Sequence, residues 1–321
     1  MADSANGKKK TTLLGVLILL LTAAIWGSAF IAQSEGMKDV GCFTFTCTRS
    51  ILGVGVLLPF LMIKDSVSIK KHGRREPAVR RAAIKKTIIL GLILGVILTV
   101  ATNLQQFAFN YSSAGKIAFL TALYMFFVPI IGMFGGKKIS APMWVCVVMG
   151  IAGMFLLTVN PSDLTAVNLG DVLAFLGAIA FAFHITFIEK YCSESDGAKL
   201  SCIQFAVVAV LSGILMFIFE KPDMTSIINA GIPILYAGVA SSGIAYTLQI
   251  VGQKRTDATV ASIIMCLESV FAVVFEAIIL KNIMSVREII GCVVMLAAII
   301  ISQLAEAGVG KKEIKNETDA S

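Results

Sequence analysis

The sequence predicts an all-α membrane protein: ten transmembrane helices forming two inverted five-helix repeats around a central cavity, with both termini cytoplasmic. Three observations lead there. Hydrophobic residues make up 57% of the 321-residue chain and charged residues 15%, with a mean hydropathy of +0.87. A soluble domain carries about 25% charged residues. The apolar residues are gathered into ten stretches, each long enough at 1.5 Å rise per residue to cross a bilayer. Finally, the second five stretches repeat the register of the first five.

In chain order the stretches of the first half are Thr12–Gln33, Val40–Ile63, Thr87–Phe109, Ala114–Met133 and Pro142–Val159. Those of the second half are Gly170–Ile188, Lys199–Phe219, Gly231–Val251, Ala258–Leu280 and Val286–Leu304. Lys8–Lys10 before the first stretch imitates a signal peptide, but its length and the spans that follow predict an uncleaved first helix. Most connections are short, which makes successive helices antiparallel neighbours. The expected organisation is a tail over 1–11, a first repeat over 12–160 with a basic cytoplasmic loop over 64–86, a second repeat over 170–304, and a tail over 305–321.

Charge sets the predicted orientation. With both termini inside, the cytoplasmic segments hold 21 of the 27 Lys and Arg residues, nine of them in the long loop. The outer side holds Lys38, Lys221, Lys281 and Arg287, while Arg49 and Lys116 fall inside spans. The opposite orientation would invert this bias. The basic loop between two spans is therefore read as a solvated cytoplasmic connection rather than a nucleic-acid site. The Asn316-Glu317-Thr318 sequon then faces the cytoplasm and is expected to stay unglycosylated. Seven cysteines lie scattered with no CxxC pair, which argues against a disulfide framework or a zinc site.

Sliding the chain by 144 residues lays the third to fifth stretches on the eighth to tenth without a gap. Leu104-Gln105 falls on Leu248-Gln249, Ala114 on Ala258, Leu123 on Leu267 and Phe127 on Phe271. A shift of 155 aligns the first two stretches with the sixth and seventh, placing Trp26 on Phe181 and Arg49 on Gln204. The long basic loop accounts for the difference in offset. Five spans per half is an odd number, so the halves must lie upside down relative to each other. Inverted repeats are typical of secondary transporters, whose sites sit near the midplane at the repeat interface. Glu268 lies at that depth in the ninth stretch, where a charge costs about 2.5–3.5 kcal/mol on insertion scales and marks a functional path by default.

Several residues carry a resemblance at this point: Ala24-Ile25-Trp26-Gly27-Ser28-Ala29-Phe30 in the first stretch, Arg49 in the second, Pro129 in the fourth and Glu268 in the ninth. With them the chain resembles the ten-helix EamA-type family of the drug/metabolite transporter superfamily over about Leu13–Leu304. It has Glu268-Ser269 where that family usually has Glu-Pro, and Lys281-Asn282 where it often has Gly-Glu. The resemblance implies a central cavity lined by helices 1, 3, 4, 6, 8 and 9. It also implies movement of amino acids and other small metabolites, frequently outward.

Glu268 is a candidate ligand for a substrate ammonium, a proton carrier, or one half of an ion pair with Arg49. Arg49 either holds a substrate carboxylate or neutralises Glu268. Asn103, Gln106 and Asn110 fall at i, i+3 and i+7 on the third helix, and Ser242, Tyr246 and Gln249 at i, i+4 and i+7 on the eighth. Each set forms one polar stripe, expected to line the cavity rather than only to bond between helices. Trp26 and Tyr124 are expected on the cavity wall. His184 inside the sixth helix is either a pH-responsive group or a hydrogen-bonded core histidine. Lys116 and Glu276, near helix ends, are expected to snorkel.

The chain has no HExxH, GxSxG or Walker A motif, so no enzyme activity, cofactor or metal is expected. The partners implied are a small-molecule substrate and the lipid bilayer of the cell membrane, with no nucleic acid and homodimerisation left open. Passive facilitation, a membrane-embedded enzyme and a scaffold with structural charges remain the alternatives to active transport.

Overall fold

The computed structural model describes residues 12–72, 77–112, 114–159, 167–280 and 284–318, and among these every regular element is helical. The helices are α1 (Leu13–Gly36), α2 (Cys42–His72), α3 (Pro77–Ala108), α4 (Ala114–Ala122), α5 (Tyr124–Phe134), α6 (Ala141–Thr158) and α7 (Leu169–Tyr191). They continue with α8 (Gly197–Phe219), α9 (Met224–Asn229), α10 (Gly231–Tyr236), a π-helical segment (Ala237–Ala245), α11 (Tyr246–Gln253), α12 (Ala258–Met265), α13 (Leu267–Leu280) and α14 (Val286–Thr318). Ten spans long and apolar enough to cross a membrane result among the described residues. The fourth comprises α4 and α5, the eighth runs from α10 to α11, and the ninth joins α12 and α13.

Local chemistry fixes the helix starts. The Thr12 hydroxyl accepts from Gly15 N at 3.1 Å, and Asp196 and Asp257 cap α8 and α12 with their carboxylates. Asn168 and Asp171 form a reciprocal capping box at α7. The basic stretch expected as a loop over 64–86 is instead mostly helix. α2 continues to His72 and α3 begins at Pro77, where a proline suits the first helical turn. At 31 residues α2 is about 46 Å long, well beyond the roughly 30 Å of hydrocarbon, so the charged ends of this hairpin stand clear of a bilayer.

α6 packs on α14, α2 on α8, α3 on both α7 and α8, and α1 on α13. Glycines set two of these approaches. Gly27 brings α1 onto the α13 backbone at Glu268 and Ala272, and Gly153 meets the Gly291 backbone between α6 and α14. Large apolar side chains such as Val148, Phe217, Ile218 and Val293 stay exposed on the outer faces, as a lipid-solvated bundle requires. Lys116, expected to snorkel, instead pairs with Asp171 at 2.6 Å, because α4 packs against α7 and delivers a carboxylate to it. The side chain of Glu276, together with Lys281 and Asn282, lies outside the described residues.

Candidate functional site

Two interrupted spans meet at the centre. The fourth breaks at Leu123 and the ninth at Cys266, each through a tight turn with i→i+3 hydrogen bonds. The Cys266 thiol donates to the Ala122 carbonyl at 3.6 Å, joining two positions that are 144 residues apart. Each break starts a fresh helix with a cavity-lining side chain in its first turn, Tyr124 on α5 and Glu268 on α13. A carboxylate there complements the partial positive charge of the helix N-terminus.

Around this meeting point lies a narrow cavity of about 40 Å³. Its apolar wall is Trp26, Phe30, Phe181, Ile185 and Met265; its polar wall is Gln33, Arg49, Gln105, Thr121, Tyr124, Ser241, Tyr246, Gln249 and Glu268. Trp26 leans on Tyr246 with ring centroids 4.8 Å apart. Ten of the lining residues fall into pairs related by the two sequence offsets: Trp26 with Phe181, Phe30 with Ile185, Gln105 with Gln249, Thr121 with Met265, and Tyr124 with Glu268. Arg49, Gln33, Ser241 and Tyr246 have no lining counterpart. The counterparts of Arg49 and Gln33 are Gln204, which is bonded to His184, and Ile188, which is packed in the core. The cavity thus extends further toward the end of the molecule at which α1 finishes.

Arg49 donates to Gln33 Oε1 at 3.0 Å and not to Glu268. Glu268 is 6% exposed and makes no hydrogen bond or ion pair with the described residues. The two side chains therefore share a cavity without pairing to each other. Trp26 Nε1, Arg49 Nε and Gln249 Oε1 are likewise buried with no partner among the described residues. A buried polar atom left unpaired costs about 1–3 kcal/mol, and a polar guest or water in the cavity would satisfy these atoms.

Of the residues singled out from sequence, Glu268, Arg49, Trp26, Tyr124, Tyr246 and Gln249 line the cavity, and Asn103, Gln106 and His184 do not. Asn103 turns to α8 and donates to Ser212 Oγ at 2.8 Å. Gln106 is fully buried away from the cavity, and His184 pairs with Gln204 at 3.0 Å. The correction on α3 is one of helix face, since its packing against α7 and α8 turns Gln105 inward instead of the Asn103 stripe. On the eighth span the π-helical segment changes the period. Tyr246 N bonds to Ser241 O, an i→i−5 step that puts Ser241 rather than Ser242 beside Tyr246 on the wall. Gln33 and Ser241 carry no signal in the sequence, whereas Thr121 precedes Tyr124 by one helical turn and Gln105 is the repeat equivalent of Gln249.

Comparison with known proteins agrees with this architecture. The chain is 25% identical over 307 residues to an uncharacterized transporter of Archaeoglobus fulgidus, covering 94% of this chain and 88% of that one. It is 23% identical over 309 residues to an uncharacterized transporter of Clostridium kluyveri, covering 90% and 92% of the two chains. One crystal structure matches with a TM-score of 0.74 at 14% identity, over 92% of this chain and 98% of the other, which shows a shared fold. The EamA-like transporter family matches residues 13–159 and again 168–304. This chain, a multi-pass membrane protein with a polar cavity where its interrupted helices cross, belongs to the EamA-like transporter family.

Proposed function

We propose that the protein is a secondary transporter that exports a small zwitterionic metabolite of the amino-acid class across the cell membrane by alternating access. The observation that carries this reading is the pair Arg49 and Glu268, buried in one cavity and not paired to each other. Arg49 offers a planar fork of donors to a carboxylate, and Glu268 offers an acceptor to an ammonium group. Trp26, Tyr246 and Phe181 supply an apolar wall for the rest of the solute. Two repeats over 12–160 and 170–304, inverted across the membrane, account for the paired lining residues and for a site halfway along the spans. The lysine and arginine bias supports cytoplasmic termini, and the family likeness supports the outward direction.

Counterflow in proteoliposomes with a labelled amino-acid mixture tests the proposal. Wild type is expected to accumulate label against an unlabelled internal pool, and Glu268→Ala to lose this at unchanged membrane yield. Non-saturating flux without counterflow would replace the carrier with a passive pore. Normal counterflow in Glu268→Ala would take Glu268 out of the path.

A further inference from the structure

α12 differs from every other membrane segment of the fold. All eight of its residues, Ala258 to Met265, are at most 2% exposed, so it has no lipid face. It runs inward from the end of the molecule where α1 begins and finishes at the cavity, where Met265 forms part of the wall and the Cys266 break follows. α12 therefore fills the space between the cavity and that end.

Its N-terminus is clamped. Lys137 Nζ, on the connection after α5, lies 2.6 Å from Glu189 Oε2 of α7 and 2.9 Å from Asp257 Oδ2, the residue capping α12. Glu189 Oε1 also accepts the Ala258 N–H at 3.0 Å. Gln253 Nε2, next to this cluster, donates to Ile185 O at 3.2 Å. Three charges from three parts of the chain thus converge on the free end of a short helix whose other end is a break.

The repeat offsets place Ser113 opposite Asp257, Ser34 opposite Glu189 and Lys281 opposite Lys137. The far end of the chain therefore encodes no equivalent clamp of two carboxylates on a lysine. The Lys116–Asp171 pair, which ties α4 to α7 at that far end, has Val260 and Val16 as counterparts. Both charge clusters exist in the present conformation, and the sequence encodes no equivalent ion pair at the repeat-related positions.

We propose that α12 is the inner gate of the transport path, hinged at Cys266, and that Lys137, Glu189 and Asp257 form the latch that holds it shut. The proposal rests on the alternating-access reading above. Glu189 is the buried member of the cluster, so removing Lys137 leaves a buried carboxylate uncompensated, and a single neutral substitution suffices to release the latch. The clamp is a positioning device, since none of its members lines the cavity.

Amide hydrogen exchange on the full chain in nanodiscs, with no substrate added, reads the gate directly. Lys137→Gln and Glu189→Gln are expected to speed exchange in 258–265 at least tenfold and to slow it in 116–122, because opening one end closes the other. Lys137→Arg, which keeps the charge, should match wild type at both segments. Unchanged exchange at 258–265 overturns the proposal, and so does faster exchange at both ends, which would mark a simple structural brace. If Lys137→Gln fails to fold, Asp257→Asn gives the same readout with its N-cap retained. A failure of counterflow with these exchange changes intact would count against the transport reading and not against the gate.

Discussion

Arg49 shows how one buried side chain acquires a role from what it lacks. It sits inside α2, 3% exposed, with Phe45 beneath its guanidinium at 5.8 Å and a single hydrogen bond to Gln33. A structural arginine at that depth would be saturated with acceptors, because desolvated charge is costly unless hydrogen-bonded. Arg49→Lys keeps the charge but loses the planar fork. It should therefore insert normally and bind the solute more weakly, by about 2–5 kcal/mol if the solute carboxylate is the missing partner. Competition with unlabelled solute in the counterflow assay measures this; unaltered affinity would make Arg49 a structural residue. His184 stays off the cavity on position alone: it is not among the lining residues, its Nε2 pairs with Gln204, and its buried Nδ1 has no partner among the described residues.

At the scale of elements, the cavity depends on helices that are allowed to touch and helices that are allowed to break. Gly27 is the contact. A Cβ there would fall on the Glu268 carbonyl, 2.6 Å from the Phe271 Cβ and 2.8 Å from the Ala272 nitrogen. Since two of these atoms are backbone, α1 must move away from α13 to admit even a methyl group. Gly27→Ala is expected to lower stability by about 1–3 kcal/mol and to displace Glu268. Gly55→Ala, with nothing within 4 Å of its added Cβ, should be silent. Thermal unfolding of the two variants side by side checks the pair, and equal melting temperatures would refute the contact. The breaks at Leu123 and Cys266 do the complementary job by ending one helix and starting another at the depth of the cavity.

For the whole molecule, the charges sort into those that titrate with solution and those that brace the ends. Burial pushes the Asp257 carboxyl up, but Lys137 and the hydrogen bonds from Thr259 more than reverse this and hold it below its ordinary value. Burial also pushes the Lys137 ammonium down, and Asp257 with Glu189 outweighs it, leaving Lys137 above its ordinary value. The contribution of Asp257 is therefore present above the ordinary carboxylate range and is lost as pH falls through its lowered value. That of Lys137 is complete below the ordinary lysine range and is lost as pH rises through its raised value. The difference in melting temperature between wild type and Lys137→Gln should stay flat from about pH 5 to 9 and shrink below about pH 4, near and beneath the ordinary aspartate value. A difference that changes across neutral pH would contradict the ion cluster.

Composition and periodicity were enough to predict ten spans, because a bilayer demands about 20 apolar residues per crossing whatever packs against them. The register of the two halves was also legible: the offsets read from sequence relate ten of the cavity's lining residues in pairs, and Cys266 bonds to the residue 144 positions before it. Glu268, Arg49 and Trp26 could be named in advance because polar or bulky groups at mid-depth have few bland explanations. What sequence could not decide was the facing of each helix. An apolar stripe against lipid and an apolar stripe against another helix look alike, so Asn103 and Gln105 could not be told apart until α3 was seen between α7 and α8. The helical period itself changes where the π-helical segment adds a residue per turn, and that shift moved the wall from Ser242 to Ser241. Whether Arg49 and Glu268 neutralise each other or wait apart is a matter of distances across the bundle. Only the packed structure holds them in one cavity and unpaired.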